Sequence, residues 1–233
     1  ATEEEVLPLL TPAVALAAVN GPRAVVVSGD ASEVERVAGH FAAQGRRTRR
    51  LTVSHAFHSP HMDPVLAEFR EVAAGVEFRP ASVPVVSNVT GDFATAQELA
   101  SPDYWTRHIR AAVRFHDGIR AIGRGGPAVF LELGPDAVLT GMGRDSLDGG
   151  GHVLLAGLRR GRPERPALLT ALAGAHVHGA RIGWAEPLAA LGGRAVPLPT
   201  YAFQRERHWI DVPVPDTGAP TGEADNGAPR RDP

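Results

Sequence analysis

A layered α/β core preceded by a smaller α+β unit is the fold class this sequence predicts, and three observations predict it. Between about residues 54 and 178, short apolar, β-branched runs alternate with segments whose apolar residues recur at helical spacing, as in an α/β layered core. Before residue 54 the predicted order is helix, strand, strand, helix, strand. From Val212 onward the composition falls to Pro, Gly, Asp, Ala and Arg, which cannot offset the entropy of ordering a chain.

Thr2 stands before Glu3-Glu4-Glu5 and the apolar Val6, Leu7, Leu9 and Leu10, so it caps a short helix that Pro8 interrupts. Val14–Val19 and Ala24–Val27 read as a strand pair about the turn Asn20-Gly21-Pro22. Val34, Val37, Ala38 and Phe41 mark a helix over Ala31–Ala43, with Gly45 at its C-terminal cap, and Arg46–Val53 returns to strand. That order is the one expected of a ferredoxin-like unit cut after its first strand.

Val65, Leu66, Phe69 and Val72 predict a helix over Asp63–Val72, with Pro64 in its first turn. Val83–Val86 reads as a short buried strand, Pro102–Arg110 and Val113–Ile122 as helices, Ala128–Leu133 as a strand, and Ala137–Met142 as the start of a helix. Val153–Leu158 is strand-like and Arg165–Val177 helical. Residues 179–211 are irregular, but Trp184, Tyr201, Phe203 and Trp209 require packing, which argues against a free linker. The expected organisation is therefore 1–53 small subdomain, 54–178 large subdomain, 179–211 an aromatic linker, and 212–233 a disordered tail or interdomain linker.

Composition limits the function. The chain has 233 residues, 43% of them apolar, enough for a sizeable core. A net charge of -2 provides no global attraction to nucleic acid or anionic membrane, and neither is expected as a partner. Without cysteine there is no disulfide, no thiolate metal site and no thiol nucleophile. No signal peptide is recognisable at the start of the sequence, and no apolar run approaches the ~18 residues of a membrane span, so a cytoplasmic location is expected.

Chemistry concentrates in Ser54-His55-Ala56-Phe57-His58-Ser59-Pro60-His61-Met62. The spacing of His55, His58 and His61 invites a metal reading, but on a helix they would cover roughly a third of the circumference. Pro60 interrupts the run and only Asp63 is close as a further ligand, so no metal site is expected. The alternative functional reading makes one histidine a general base, since imidazole moves protons near neutral pH; the plainest reading is surface or satisfied core histidines.

Five motifs in order decide between them. Val53–Met62 resembles the active-site segment of the acyltransferase domains of modular type I polyketide synthases, relatives of the malonyl transacylases. Val86–Gly91, Tyr104–Arg110, Leu131–Pro135 with Leu139–Met142, and Leu198–Trp209 follow in that family's order, the last being similar to its post-acyltransferase linker. The resemblance implies the C-terminal part of an α/β-hydrolase-like acyltransferase core with an incomplete ferredoxin-like subdomain. It places His58 on the catalytic base, which deprotonates a serine that attacks an acyl-CoA thioester. His55 and Phe57 fall on the positions that correlate with extender unit, where His-Ala-Phe-His implies malonyl; Phe57 would fill the space of an α-methyl branch. The resemblance also gives His108 and Asn88 supporting roles: His108 falls on a helix whose backbone helps orient the base, with a structural role itself, and Asn88 fixes a turn near the cleft rather than touching substrate.

The resemblance implies no bound cofactor, with malonyl-CoA as substrate and phosphopantetheine carried by a partner acyl carrier protein. It also implies contact with the neighbouring ketosynthase through the linker. The family's Gly-His-Ser-x-Gly elbow has no counterpart here, since no Gly-x-Ser-x-Gly occurs in the sequence. The expectation is a fragment that carries the base without the nucleophile and is inactive alone; a non-catalytic docking module is the other reading. The arginine clusters Arg46–Arg50 and Arg159–Arg165 could face CoA phosphates or an acidic carrier protein, although solvated surface is the plainer reading.

Overall fold

The computed structural model describes residues 1–192, 194 and 196–206. Residues 1–184 form one compact unit, and a second begins at Ala185. The first unit starts with helix α1 (Glu3–Val6), closed by a reciprocal cap in which Thr2 Oγ1 accepts from Glu5 N–H and the Glu5 carboxylate accepts from Thr2 N–H. The acidic residues of α1 do more than favour its positive end. Glu3 pairs with Arg114 at 2.7 Å and Glu5 takes both terminal nitrogens of Arg46, tying the helix to two distant segments.

Strands β1 (Val14–Gly21) and β2 (Ala24–Gly29) pair antiparallel, with β1 continuing through Gly21 so that the connection is Pro22-Arg23. Helix α2 (Ala31–Ala43) matches the predicted bounds. Gly45 takes the left-handed conformation just beyond it, and its N–H bonds the Ala42 carbonyl. Val6, Leu16, Val19, Val37 and Phe41 bury one another between α1, the hairpin and α2. The other edge of β1 bonds the segment at Val113: Val19 N–H donates to Val113 O, and Val113 N–H to Ala17 O, each at 2.8 Å. Contacts therefore cross the boundary expected between 53 and 54.

Two predicted strands do not form. Residues 46–53 run without a ladder, because β1 is occupied on both edges and β2 is not paired with this segment. Their arginines pair instead, Arg46 with Glu5 and Arg50 with Glu35. The Val83–Val86 strand reduces to a bridge between Val86 and Phe93, and Val83 is 69% exposed rather than buried. Nor does the predicted helix begin at Asp63. Pro60 and Pro64 lack the N–H groups an α ladder needs, so residues 60–65 form a 3₁₀ helix and α3 runs over Leu66–Ala74.

Helices α4 (Ala96–Leu99), α5 (Pro102–Arg110) and α6 (Phe115–Gly123) follow. Strand β3 (Val129–Glu132) pairs in parallel with β4 (Val153–Ala156), from Val129 opposite Val153 to Glu132 opposite Ala156. Between them lies α7 (Val138–Ser146), and after them α8 (Glu164–Val177). A Cβ at Gly143 of α7 would meet Leu154, and one at Gly174 of α8 would meet Leu155. Successive strand residues face opposite sides, so the two helices cover opposite faces of β4, as an α/β layer requires.

In the second unit, α9 (Ala185–Ala190) is helical where an irregular segment was expected. Tyr201 and Phe203 meet edge to face at 5.4 Å, yet stay 72% and 70% exposed, so the packing expected of them is not present. Trp209 and the tail expected from Val212 lie outside the described residues. Among the described residues, no helix is long and apolar enough to cross a membrane.

Candidate active site

Ser59 organises the histidine stretch. Fully buried, its hydroxyl donates to Ala56 O at 2.6 Å and accepts from His61 N–H at 3.2 Å, capping the 3₁₀ helix and closing the turn before it. His58, immediately upstream, has φ +57°, the sole non-glycine with positive φ among the described residues. Such backbone costs an L residue of order 1 to 2 kcal/mol and persists where its surroundings hold it.

The hold comes from α5. That helix ends at Arg110, and Ala111 turns to extended backbone with its carbonyl outside the ladder. The carbonyl lies 2.8 Å from His58 Nδ1. A carbonyl only accepts, so Nδ1 carries the proton; in the neutral ring Nε2 is then the basic atom, and no described residue bonds it. This arrangement can accept a proton at Nε2 and leave the positive ring anchored through Nδ1.

The other histidines of the stretch have different partners. His61 Nε2 pairs with Asp30 at 2.5 Å, while His55 Nδ1 meets Ser54 Oγ at 2.9 Å. Each ring is thus committed to a separate neighbour, and no group of three metal-ligating side chains occurs among the described residues. His55 and Phe57 lie together on the surface, ring centroids 5.8 Å apart, with Phe57 52% exposed.

His108 sits on α5 one turn before Ala111, its ring 6.4 Å from that of His58 and 6.2 Å from Tyr104. Burial, and then the positive field of His58, hold it below the ordinary histidine value, keeping a neutral ring beside the base. Asn88 is exposed, and its carbonyl accepts Arg114 N–H at 2.8 Å. Buried Ser87 holds the turn itself: its hydroxyl oxygen accepts from Val89 N–H, Thr90 N–H and Tyr104 Oη–H. Gly91 closes that turn at φ +72°, where a Cβ would collide with Asp117.

Glu132, at the end of β3, is the other organising side chain. Its carboxylate accepts from the N–H groups of Val138, Leu139 and Thr140 and from Thr140 Oγ1, between 2.6 and 3.1 Å, and so caps α7 from a neighbouring strand. Burial pushes its pKa up, but those hydrogen bonds outweigh burial and hold it below the ordinary value. Reading side-chain chemistry along the sequence missed Ala111, Ser59, Ser87 and Glu132. Only the Ser-Pro pair at 59–60 carried a local capping signal.

Comparison with known proteins places this α/β chain among the transferases. The acyl transferase domain family matches residues 1–182, and the chain belongs to it, specifically to the acyltransferase domains of modular type I polyketide synthases. It is 49% identical over 228 residues to the polyketide synthase GfsB of Streptomyces halstedii, covering 94% of this chain and 4% of that synthase. It is 50% identical over 212 residues to the spectinabilin polyketide synthase system protein NorB of Streptomyces orinoci, covering 88% and 10%. The solved acyltransferase domain from the second module of the salinomycin polyketide synthase matches with TM-score 0.79 and 49% identity, over 86% of this chain and 48% of that one. The chain thus spans about half of that solved domain chain and a small part of either synthase.

Proposed function

We propose that this chain supplies the general base and part of the acyl-selecting wall of an acyltransferase that loads a malonyl extender unit in polyketide biosynthesis. His58 Nε2 takes the proton of a serine hydroxyl as that oxygen attacks the thioester carbonyl of malonyl-CoA. The carbon–sulfur bond breaks, and the proton on Nε2 passes to the leaving thiolate. In the second half-reaction the phosphopantetheine thiol of an acyl carrier protein gives its proton to Nε2 and attacks the acyl-serine; the carbon–oxygen bond breaks, and Nε2 returns the proton to the freed serine oxygen. The serine belongs to a segment outside these 233 residues, so the chain by itself is inactive.

The observation that carries this reading is the bond from His58 Nδ1–H to Ala111 O, which selects the tautomer a base needs. His55 and Phe57, adjacent and open on the same turn, form the selecting wall. The exposed pair Tyr201 and Phe203 supports a docking role towards a neighbouring ketosynthase for the segment after residue 184. In the complete domain, acylation by malonyl-CoA followed by intact-protein mass spectrometry tests the proposal. His58→Ala should abolish the adduct and His61→Ala should retain it; equal loss in both would remove His58 from the role of base. A malonyl adduct on a nucleophile of the 233-residue chain alone would refute the missing-serine reading.

A further inference from the structure

One open cavity lies outside the histidine site, and its chemistry is one-sided. It occupies about 570 Å³ where α7, the outer side of β4 and the first turns of α8 meet. Pro166 and Ala167 of α8, with Leu154 and Leu155 on the two faces of β4, give it an apolar floor, and Arg144, Arg159 and Arg162 line it from the end of α7 and the loop between β4 and α8. No acidic side chain lines it. Nor is the positive charge neutralised from nearby: Asp136 pairs with Arg160, which lies outside the lining, whereas Arg144, Arg159 and Arg162 form no ion pair among the described residues. Arg159 adds only its field to Asp136.

Three guanidinium groups without acids around an apolar floor match a ligand that joins phosphate to a flat, apolar body. The guanidinium fork suits phosphate oxygens, and its plane stacks on aromatic rings. The volume lies within the range of small-molecule pockets, roughly 300 to 1,000 Å³, rather than that of a flat protein-docking patch. The loop carrying Arg159 and Arg162 follows the C-terminal end of β4, the end of an α/β sheet at which ligands bind. We propose that this cavity binds a nucleoside phosphate, the 3′,5′-ADP head of a coenzyme A thioester being the form that fits the transfer reaction. The last clause rests on the acyl-transfer reading; the preference for a phosphate-bearing aromatic ligand does not.

The test is direct binding, which needs no acyl transfer and so fails or succeeds separately from the role of His58. The full chain is titrated calorimetrically with 3′,5′-ADP, with inorganic phosphate and with adenosine, and amide shifts are mapped by NMR. Saturable 3′,5′-ADP binding is expected, at least tenfold tighter than phosphate or adenosine, with shifts centred on Leu155 and Thr170. Arg159→Ala/Arg162→Ala should weaken it at least tenfold, and Arg144→Ala severalfold, with circular dichroism unchanged. No saturation, equal binding of phosphate alone, shifts centred elsewhere, or binding indifferent to the arginine variants would each overturn the proposal. So would a holo carrier protein that binds these arginines and is not displaced by 3′,5′-ADP.

Discussion

His58 Nδ1 and the Ala111 carbonyl meet at 2.8 Å across 53 residues of sequence, joining a left-handed turn to the end of α5. The bond orients the imidazole while the φ of +57° aims it, so backbone and side chain make separable contributions. Asn tolerates left-handed backbone and Val does not. His58→Asn should therefore abolish transfer in the complete domain with little change in stability, whereas His58→Val should unfold about 2 kcal/mol more easily than His58→Asn. Urea unfolding of both variants reads the difference, and equal midpoints would show that the turn relaxes freely.

Phe57 and His55 touch each other at the open side of the same turn. If Phe57 fills the space of an α-methyl branch, trimming it should relax selection for malonyl. In the complete domain Phe57→Ser is expected to shift the kcat/KM ratio of malonyl-CoA to methylmalonyl-CoA by about tenfold to 200-fold, or ~1 to 3 kcal/mol, towards the branched unit. A competition assay resolved by product mass measures this ratio. An unchanged ratio would place the selecting wall elsewhere.

What was legible in the sequence was local. Helices α2 and α5 stand at their predicted bounds, because Gly45 beyond one and Pro102 at the start of the other act within a turn. The strands expected over 46–53 and 83–86 fail for the opposite reason: β-branched composition supplies propensity, but a ladder needs a partner that only the fold can bring. The site divides in the same way. Histidine chemistry and motif order pointed to His58, whereas its anchor is the main-chain oxygen of an alanine, which no side-chain pattern advertises.

Glu132 and Thr140 couple the end of β3 to the first turn of α7. Glu132→Gln keeps the shape but turns an amide NH₂ towards donors, leaving some of the N–H groups of residues 138–140 unpaired. A loss of about 1 to 3 kcal/mol is expected, with amide exchange accelerating first in α7. Loss spread evenly over the whole unit would show that Glu132 is not a local cap.

The acid limb of stability should depend on Glu5. The Arg46 guanidinium, bonded to both carboxylate oxygens, and then the N–H of Thr2 lower its pKa from an ordinary 4.5 to about 2. A carboxyl with a depressed folded-state value binds fewer protons folded than unfolded. Its contribution is therefore complete above about 4.5 and is lost as the pH falls from there towards 2. Thermal unfolding of the chain between pH 6 and 2 should show Tm falling through that window. Glu5→Gln should lower Tm at pH 6 and flatten the slope below 4.5, because the titrating group is gone. Salt should shrink the difference between the two proteins, since the pair is exposed to solvent and screened. Parallel curves for the two proteins across the whole range would assign the acid limb to other carboxylates, with Glu3 beside Arg114 the next to replace.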